Sequence, residues 1–431
     1  MQCISTRGGD RVLIAEALQR GLARDGGLYV PERLPQFKVS DFDGAQSLPA
    51  VATRMLRPFF ESSPLAESIG AVCNEGFNFP VPLVQIPEAS SYVLELFHGP
   101  TAAFKDIGAR FLAACLGRLR DPFAADVTVL AATSGDTGSA VAAAFHQRPG
   151  FRAAILFPDG RVSPRQAHLL SCFGDNVASY AVQGSFDDCQ SMVKAVFADA
   201  ELQTQCPLTS ANSISLGRLL PQATYYAYSA LLYWRLHAAP LNFVIPTGNL
   251  GNGLAAIYAR CMGLPIGDIV LGTNANRVLP DFLATGEYRP APSIATIANA
   301  MDVGAPSNLE RLRELFGLHT DLTAQISATS VTDDRIRARI VRFHSEQGMV
   351  ICPHTAVAAE LLAGLRDRGD RRPWCIVATA HPAKFESVVE PLIGAAVPIP
   401  ASMRQWLERP AQAQPLAADA AALRHSLLQA D

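Results

Sequence analysis

The sequence alternates short apolar runs with longer segments of helical pattern, and this alternation narrows the possible folds sharply. The apolar runs are rich in β-branched residues, are bounded by turn-forming residues, and lie at 127–131, 153–157, 177–182, 243–245, 269–272 and 375–378. A helical pattern follows each run, at 138–147, 164–172, 186–200, 252–262, 278–283 and 384–393. Buried strands that alternate with helices predict an α/β fold, because parallel strands need crossovers that place helices on both faces of the sheet.

The length of the chain predicts more than one domain. Single hydrophobic cores stop growing at about 250–300 residues, and this chain has 431. We predict a helical N-terminal region over 1–85, where several prolines separate short helical pieces. A smaller α/β domain is expected over 86–210 and a larger one over 211–431, each with an open, mainly parallel sheet.

The composition argues against several classes of protein. Charged residues make up 17% of the chain and the formal net charge is −3, so no broad basic surface is available for nucleic acid or an anionic membrane. Nine cysteines form neither a CxxC pair nor a cluster with histidine, which argues against a disulfide framework and predicts no metal site. The N-terminus lacks a signal-peptide pattern, and the most apolar stretch, 225–234, is too short to cross a bilayer. We therefore predict a cytoplasmic protein.

A lysine at a turn-to-helix junction is the first candidate for chemistry. The segment 98–106 reads HGPTAAFKD, and a helical pattern starts near Asp106, so Lys105 follows a turn in apolar company. Burial lowers the pKa of an amine, and a neutral amine attacks aldehydes, which is how lysine binds pyridoxal phosphate. A surface lysine at a helix start fits these nine residues equally well.

A glycine-rich segment, PTGNLGNG at 246–253, connects the predicted strand 243–245 to a helix. Its glycines would let backbone N–H groups approach an anion, and the helix N-terminus adds its dipole. This combination predicts a phosphate cradle, although the pattern is neither that of a dinucleotide site nor that of an ATP site. A strand-to-helix turn without a ligand is the alternative.

A second strand-to-helix segment, TSGDTGS at 133–139, carries hydroxyl groups. Hydroxyls and free N–H groups at a helix start suit a carboxylate or a phosphate. Ordinary capping is the other interpretation, with Asp136 or Thr137 as the N-cap of the helix 138–147. The two roles are compatible, so both stay open.

The segment TAHPAKF at 379–385 follows the predicted strand 375–378. A hydroxyl at the carboxyl end of a parallel strand points into the usual ligand crevice of open α/β sheets, which makes Thr379 a candidate. His381 is either catalytic or structural. We interpret Lys384 as a helix-start residue rather than a second reactive lysine.

The segment NSISLGR at 212–218 leads into an aromatic run with helical spacing, which predicts a core helix. Arg218 at its end has two possible roles. It could clamp a substrate phosphate, or it could pair with a carboxylate of the protein.

Together these motifs, in this order, resemble the threonine synthase family in its shorter bacterial and fungal type. The resemblance runs through nearly the whole chain, with matching segments STRG at 5–8, GLARDGGLYVP at 21–31, HGPTAAFKD at 98–106, ATSGDTGSA at 132–140, GSFDDCQ at 184–190, NSISLGRLLPQ at 212–222, PTGNLGNG at 246–253, NAMDV at 299–303, HTAV at 354–357 and TAHPAKF at 379–385. It implies a pyridoxal-phosphate enzyme of fold type II, the tryptophan synthase β type, with the cofactor between two α/β domains. It also implies conversion of O-phospho-L-homoserine and water into L-threonine and phosphate.

The resemblance assigns roles to individual residues. Lys105 corresponds to the Schiff-base lysine and Thr379 to the partner of the pyridine nitrogen. The cofactor-phosphate loop corresponds to Gly248, Asn249, Leu250, Gly251 and Asn252. For the substrate we expect contacts from Ser134, Thr137, Asn212, Ser213 and Arg218. The chain departs from the usual pattern at Leu250, where the family has phenylalanine, and at Ser215, which replaces an asparagine.

Three other functions compete with this interpretation. A threonine-synthase-like phospholyase would release phosphate, a 2-oxo acid and ammonia. A dehydratase of the same fold would act on serine or threonine without a phosphate. A catalytically inactive amino-acid-binding subunit is the third, but it would have no need of Lys105.

Overall fold

The computed structural model describes residues 1–429, which form three sheets surrounded by helices. The strands are β1 Gln2–Ser5, β2 Arg11–Leu13, β3 Tyr29–Pro31, β4 Leu83–Gln85, β5 Ser91–Glu95, β6 Val127–Ala132, β7 Phe151–Pro158, β8 Val177–Gln183, β9 Leu208–Ser210, β10 Leu241–Pro246, β11 Ile266–Thr273, β12 Ile326–Ser330, β13 Trp374–Ala378 and β14 Gln414–Ala417. The helices are α1 Ile14–Arg20, α2 Leu48–Phe60, α3 Ile69–Gly76, α4 Lys105–Leu119, α5 Asp136–Phe145, α6 Pro164–Ser171, α7 Phe186–Ala198, α8 Ala200–Gln205, α9 Leu216–His237, α10 Gly251–Cys261, α11 Val278–Thr285, α12 Leu309–Phe316, α13 His319–Thr323, α14 Asp333–Gln347, α15 Pro353–Asp367, α16 Glu386–Ile393, α17 Ala401–Leu407 and α18 Ala420–Gln429. Short 3-10 helices cover Val39–Phe42, Asn299–Met301 and Pro382–Phe385. No helix within 1–429 has the length and apolarity needed to cross a membrane.

Two mainly parallel sheets form the body of the protein, as predicted. The larger sheet has six strands in the order β12-β11-β10-β13-β5-β4, and its only antiparallel pair is β4 with β5. The smaller sheet has five parallel strands in the order β14-β8-β7-β6-β9. All six predicted apolar runs lie in these sheets, where β-branched side chains are buried on both faces.

Each of the two large sheets combines strands from two distant segments of the chain. Strands β4 and β5 join the larger sheet, whose other strands follow residue 240, and β14 near the C-terminus joins the smaller one. Each sheet therefore contains strands from both predicted domain ranges, 86–210 and 211–431. The domain boundaries themselves stay a prediction. The six predicted helices are also present, except that the last one begins two residues late, after the 3-10 helix Pro382–Phe385.

The N-terminal region contains the predicted helices but begins with a sheet that the sequence analysis did not predict. Strands β2, β1 and β3 form a three-stranded antiparallel sheet within the first 31 residues, and α2 and α3 follow. The description of 1–85 as helical is therefore incomplete. Helix α2 packs against the long helix α9. In its aromatic run Tyr225, Tyr226 and Tyr233 are buried as predicted, whereas Tyr228 and Trp234 are only half-buried.

The carboxyl ends of β5, β6, β10 and β13 lead into four of the five motifs that the sequence singled out. In open parallel sheets this edge is where ligands bind. The fold thus places the candidate residues of both sheets at the ends from which a shared cleft can be built.

Candidate active site

A buried carboxylate fixes the turn that carries Lys105. Lys105 is the first residue of α4, and the neighbouring Asp106 is fully buried. The Asp106 carboxylate accepts hydrogen bonds from the Thr101 backbone N–H at 2.9 Å and from the Thr101 hydroxyl at 2.7 Å. Burial raises the pKa of Asp106, while these bonds act in the opposite direction. The sequence analysis assigned no role to Asp106, which here holds the turn in place.

Backbone pairing joins the Lys105 turn to the Thr379 segment. Ala103 and Ala380 form an isolated antiparallel bridge, and the Phe104 N–H donates to the Thr379 carbonyl at 2.8 Å. Thr379 itself is 6% exposed, and its hydroxyl has no hydrogen-bond partner among residues 1–429. The amine and the hydroxyl therefore come from two segments with a fixed register, and both are free for a ligand.

The Lys105 amine has an environment that favours its neutral form. Burial lowers its pKa to about 8; the negative charge of Asp136 opposes this, and the positive charges of Arg218 and Lys384 reinforce it. No carboxylate in the described part of the chain forms an ion pair with it. An amine with this pKa is a nucleophile near neutral pH. Lys105 is half-buried at the first residue of α4, so it does start a helix, but it is not a fully exposed surface lysine.

A second buried lysine, Lys384, has a different environment. Its side chain is completely buried and forms an ion pair with Asp136 at 2.7 Å. Its amine also donates to the Thr101 carbonyl at 2.8 Å. Burial acts to raise the pKa of Asp136, but the charges of Lys384 and Lys105 outweigh it and hold the pKa well below its usual value. Lys384 lies in the 3-10 helix just before α16, close to the helix start that the sequence predicts, and its buried ion pair ties three loops together.

The hydroxyl-rich loop before α5 is capped differently from the prediction. Helix α5 begins at Asp136, and its N-cap is Gly135 with φ 140°, without a side-chain cap. Capping by Asp136 or Thr137 is therefore wrong. The Thr133 hydroxyl instead accepts the N–H groups of Gly135 and Gly138, each at 3.0 Å. The Ser134 and Thr137 side chains are half-buried and unpaired among residues 1–429, which leaves them available to a ligand.

The glycine-rich loop leaves a small open space at the start of α10. Leu250 has φ 64° and is buried, so the chain turns in a left-handed conformation just before the helix. A Cβ at Gly248 would lie 2.7 Å from the Met301 Cα, whereas a Cβ at Gly251 would meet nothing nearer than 3.8 Å. The space beside Gly251 is of the kind that a phosphate group at a helix N-terminus occupies.

Side chains around this loop divide into those that hold it and those that face the space. The Asn249 amide holds the loop: it donates to the Ser213 hydroxyl at 2.7 Å and accepts the Ser307 N–H at 2.5 Å. Other buried polar atoms have no partner in the described residues; they are Thr247 Oγ1, Asn252 Nδ2, Gln222 Oε1, Asn212 Oδ1 and Ser215 Oγ. Buried polar atoms are normally hydrogen-bonded. The donors Thr247 Oγ1, Asn252 Nδ2 and Ser215 Oγ fit an acceptor such as a phosphate, whereas the amide oxygens of Gln222 and Asn212 fit N–H or O–H donors of a ligand.

Arg218 is a buried cation without a carboxylate partner. It is 1% exposed, donates to the Ala211 carbonyl, and has an unpartnered Nε. Burial lowers its pKa to about 10, and the charge of Asp106 opposes this. No ion pair involves Arg218 among residues 1–429, so the structural ion pair considered in the sequence analysis is wrong. A contact with substrate phosphate stays a prediction for Arg218.

Two histidines near the cleft are neutral. Burial lowers the pKa of both His381 and His354 to about 4. His381 Nδ1 accepts the Ala383 N–H at 3.2 Å, which caps the 3-10 helix and indicates a structural role. His354 Nε2 accepts the Ala300 N–H at 3.1 Å. The motif HTAV was recognised in the sequence, but only the fold places His354 near Asp136 and Lys105.

Three protein-family models match the chain, and together they cover almost all of it. Residues 75–380 match the family of pyridoxal-phosphate dependent enzymes. Residues 2–77 match the threonine synthase N terminus, and residues 355–426 match the threonine synthase C-terminal family.

Individual relatives agree with these matches along their full length. The chain is 36% identical to threonine synthase from Haemophilus influenzae, with 97% of each chain covered. Its structure is similar to the crystal structure of threonine synthase from Escherichia coli, with a TM-score of 0.91, 34% identity and 100% of each chain covered. It is equally similar to pyridoxal-phosphate-bound threonine synthase from Brucella melitensis, with a TM-score of 0.91, 33% identity and coverage of 100% and 99%. The chain belongs to the threonine synthase family of pyridoxal-phosphate-dependent enzymes.

Proposed function

We propose that this protein is a threonine synthase that converts O-phospho-L-homoserine and water into L-threonine and inorganic phosphate. The observation that carries the proposal is the Lys105 amine: it is desolvated, has no ion-pair partner, and lies across a backbone bridge from the unpaired Thr379 hydroxyl. The open space beside Gly251 supports the same function, because the cofactor needs a phosphate site.

The residues present fit pyridoxal phosphate. Lys105 would hold it through a Schiff base, and the backbone N–H groups at Gly248–Asn252 would bind its phosphate at the start of α10. The Thr379 hydroxyl would donate to the pyridine nitrogen. When bound, the cofactor supplies an electron sink for negative charge at the substrate α-carbon.

Lys105 has the properties of a general base in this reaction. Once the substrate amine has replaced it, its amine is free to remove the α-proton, and a pKa of about 8 suits proton transfer near neutral pH. With the cofactor bound, loss of a proton from Cβ would accompany departure of phosphate from Cγ. Protons would then return to Cγ and Cα, and water would add its hydroxyl at Cβ and give its proton to the released phosphate. We assign Lys384 no part in these steps, because its amine is already paired with the Asp136 carboxylate and the Thr101 carbonyl.

The substrate requires a second anion site besides the cofactor loop. We propose Arg218 as its cation, with hydroxyl and amide contacts from Ser134, Thr137, Asn212 and Ser213. Arg218 forms no ion pair within the described residues, although Asp106 is near enough to act on its pKa. A buried guanidinium without a paired carboxylate attracts a phosphate, which supports this assignment.

The Thr379 hydroxyl would tune the cofactor ring. A hydroxyl can donate a hydrogen bond to the pyridine nitrogen but cannot supply the negative charge that stabilises its protonated form. Delocalisation of charge into the ring is thereby restrained, which favours loss of phosphate over transamination.

We also propose a cytoplasmic location and a small molecule as the sole partner of the cleft. All nine cysteines are unpaired, which fits a reducing compartment. The low net charge offers no surface for nucleic acid.

The proposal is tested by product analysis with purified holoenzyme and O-phospho-L-homoserine. We expect threonine and phosphate to form in equal amounts. A 2-oxo acid and ammonia in place of threonine would identify a phospholyase. Turnover of serine or threonine without any phosphorylated substrate would identify a dehydratase.

A further inference from the structure

Two tyrosines of the core helix α9 make an unusual contact with the glycine-rich loop. Tyr225 and Tyr226 are completely buried, with ring centroids 4.7 Å apart. Their hydroxyls both donate to the same atom, Asn252 Oδ1, at 2.5 Å and 2.7 Å. Asn252 is the second residue of α10 and is 5% exposed. The predicted aromatic core thus also contacts the loop that we assign to the cofactor phosphate.

This contact determines which way the Asn252 amide points. Among residues 1–429, Asn252 Oδ1 is the hydrogen-bond acceptor for both tyrosine hydroxyls. Burial raises the pKa of Tyr225 and of Tyr226 well above the usual value, so both stay protonated donors. Turning the amide over would let Nδ2 donate to the two hydroxyl oxygens, but it would leave both hydroxyl hydrogens without an acceptor.

The same orientation leaves Asn252 Nδ2 buried and without an acceptor in the described residues. Leaving a buried donor unsatisfied costs free energy, so the site is complete only with an acceptor from a ligand. Asn252 directly follows Gly251 in the first turn of α10, where the helix N-terminus favours an anion. The oxygens of a phosphate dianion only accept hydrogen bonds, so a phosphate could accept the hydrogen bond that Asn252 Nδ2 has to donate.

We infer that Tyr225 and Tyr226 are positioning residues for the cofactor phosphate, because they fix the Asn252 amide with its Nδ2 donor toward the phosphate. The inference rests on the proposed function only in taking pyridoxal phosphate as the ligand. The two tyrosines themselves do not touch the ligand; they act through Asn252. A purely structural role would predict that their hydroxyls stabilise the fold without a specific effect on cofactor affinity.

The test measures the dissociation constant of pyridoxal phosphate by titrating apoenzyme, with the 31P chemical shift of the bound phosphate as a second readout. Asn252→Asp keeps the acceptor for both tyrosines and the size of the side chain, but replaces the donor with a negative oxygen. We expect it to weaken cofactor binding about tenfold or more, equivalent to about 1.4 kcal/mol. We expect Tyr225→Phe and Tyr226→Phe to weaken binding about threefold each, because the amide is then free to turn.

The decisive comparison is a double-mutant cycle in an Asn252→Ala background. Once the amide is absent, Tyr226→Phe should cause no further loss of affinity and no further change in the 31P shift. Tyr233→Phe is the matched control: it is a buried tyrosine of the same helix that packs on Tyr92 instead, and its affinity should equal that of wild type.

The inference is overturned if Tyr→Phe changes weaken binding equally with and without the Asn252 amide, or leave the affinity unchanged in the wild-type background. Urea unfolding of each apoenzyme separates loss of fold from loss of affinity. These outcomes are independent of the proposed reaction. The product assay can fail while the double-mutant cycle still shows that the tyrosines act through Asn252, and the cycle can fail while threonine is still formed.

Discussion

Lys384 is completely buried and Lys105 is half-buried beside the cleft, and their surroundings give them opposite properties. Lys384 has the Asp136 carboxylate at 2.7 Å and a carbonyl at 2.8 Å, which make it a fixed cation. Lys105 has no such partner among residues 1–429, and burial lowers its pKa to about 8. Burial alone therefore does not produce a reactive lysine. The nearby carboxylate, Asp136, must also be paired with another cation, here Lys384.

The largest effect is expected from Lys105→Ala. Without the amine there is neither a covalent link to the cofactor nor a base for the α-proton, so turnover should be abolished. Borohydride reduction followed by peptide mapping checks the link in wild type and variant. If the variant still forms a reducible link, the two lysines have been assigned the wrong way round, and Lys384 becomes the reactive one.

The next largest effect concerns stability. Lys384→Met leaves Asp136 as a buried charge without its partner, and removing one member of a buried ion pair costs about 3–5 kcal/mol. Urea unfolding of the apoenzyme measures this free energy. The double variant Asp136→Asn, Lys384→Met removes both charges and should recover most of the loss. Equal destabilisation of the single and double variants would show that packing, not charge, is what Lys384 contributes.

A smaller effect should appear in the pH dependence of cofactor capture by the apoenzyme. The neutral Lys105 amine is the nucleophile, so the rate should rise with pH through about 8 and then level off. Asp136 raises the pKa of Lys105 and Arg218 lowers it. Asp136→Asn should therefore move the midpoint to lower pH, and Arg218→Ala should move it to higher pH. Stopped-flow measurements decide this, and shifts in the same direction for both variants would contradict the charge assignment.

The smallest effects are expected at Thr379, across the backbone bridge from Lys105. Thr379→Ser keeps the hydroxyl and should retain most of the activity. Thr379→Asp should leave the cofactor bound but lower threonine formation and increase transamination, because a carboxylate supplies the charge that stabilises a protonated pyridine nitrogen. Product analysis by chromatography measures both. An aspartate variant with wild-type rate and purity would remove the proposed tuning role while leaving the lysine comparison intact.

The elements that the sequence predicts well are those whose signal is local. The run 127–131 and the run 243–245 are apolar because their strands are buried on both faces, and each forms a strand. The N-terminal sheet escaped prediction because β2 and β3 are three residues long and depend on pairing with β1. Strand β14 contains a proline and joins the smaller sheet only through a parallel partner far back in the sequence.

The same division applies to the site. Lys105, the glycine-rich loop and Thr379 each lie in a motif whose residues are contiguous, so their spacing alone indicates chemistry. The ion pair of Asp136 with Lys384 joins segments from different sheets, and no pattern within either segment shows it. Gln222 on α9 has no role in the sequence analysis beyond the matching segment 212–222, yet its buried oxygen lies near Gly251 in the fold.

The bridge between Ala103 and Ala380 has a mechanical consequence for the catalytic cycle. The Phe104 N–H bonds to the Thr379 carbonyl, and the His381 N–H bonds to the Ala102 carbonyl at 3.0 Å, so the two segments cannot slide past each other without breaking both bonds. Any rocking of the smaller sheet against the larger one would therefore leave the distance between Lys105 and Thr379 unchanged. Opening and closing of the cleft would change the contacts with the substrate, while Lys105 and Thr379 would keep the same positions relative to the cofactor. The amides of Phe104 and His381 should accordingly be among the slowest to exchange with deuterium in these loops, with or without substrate.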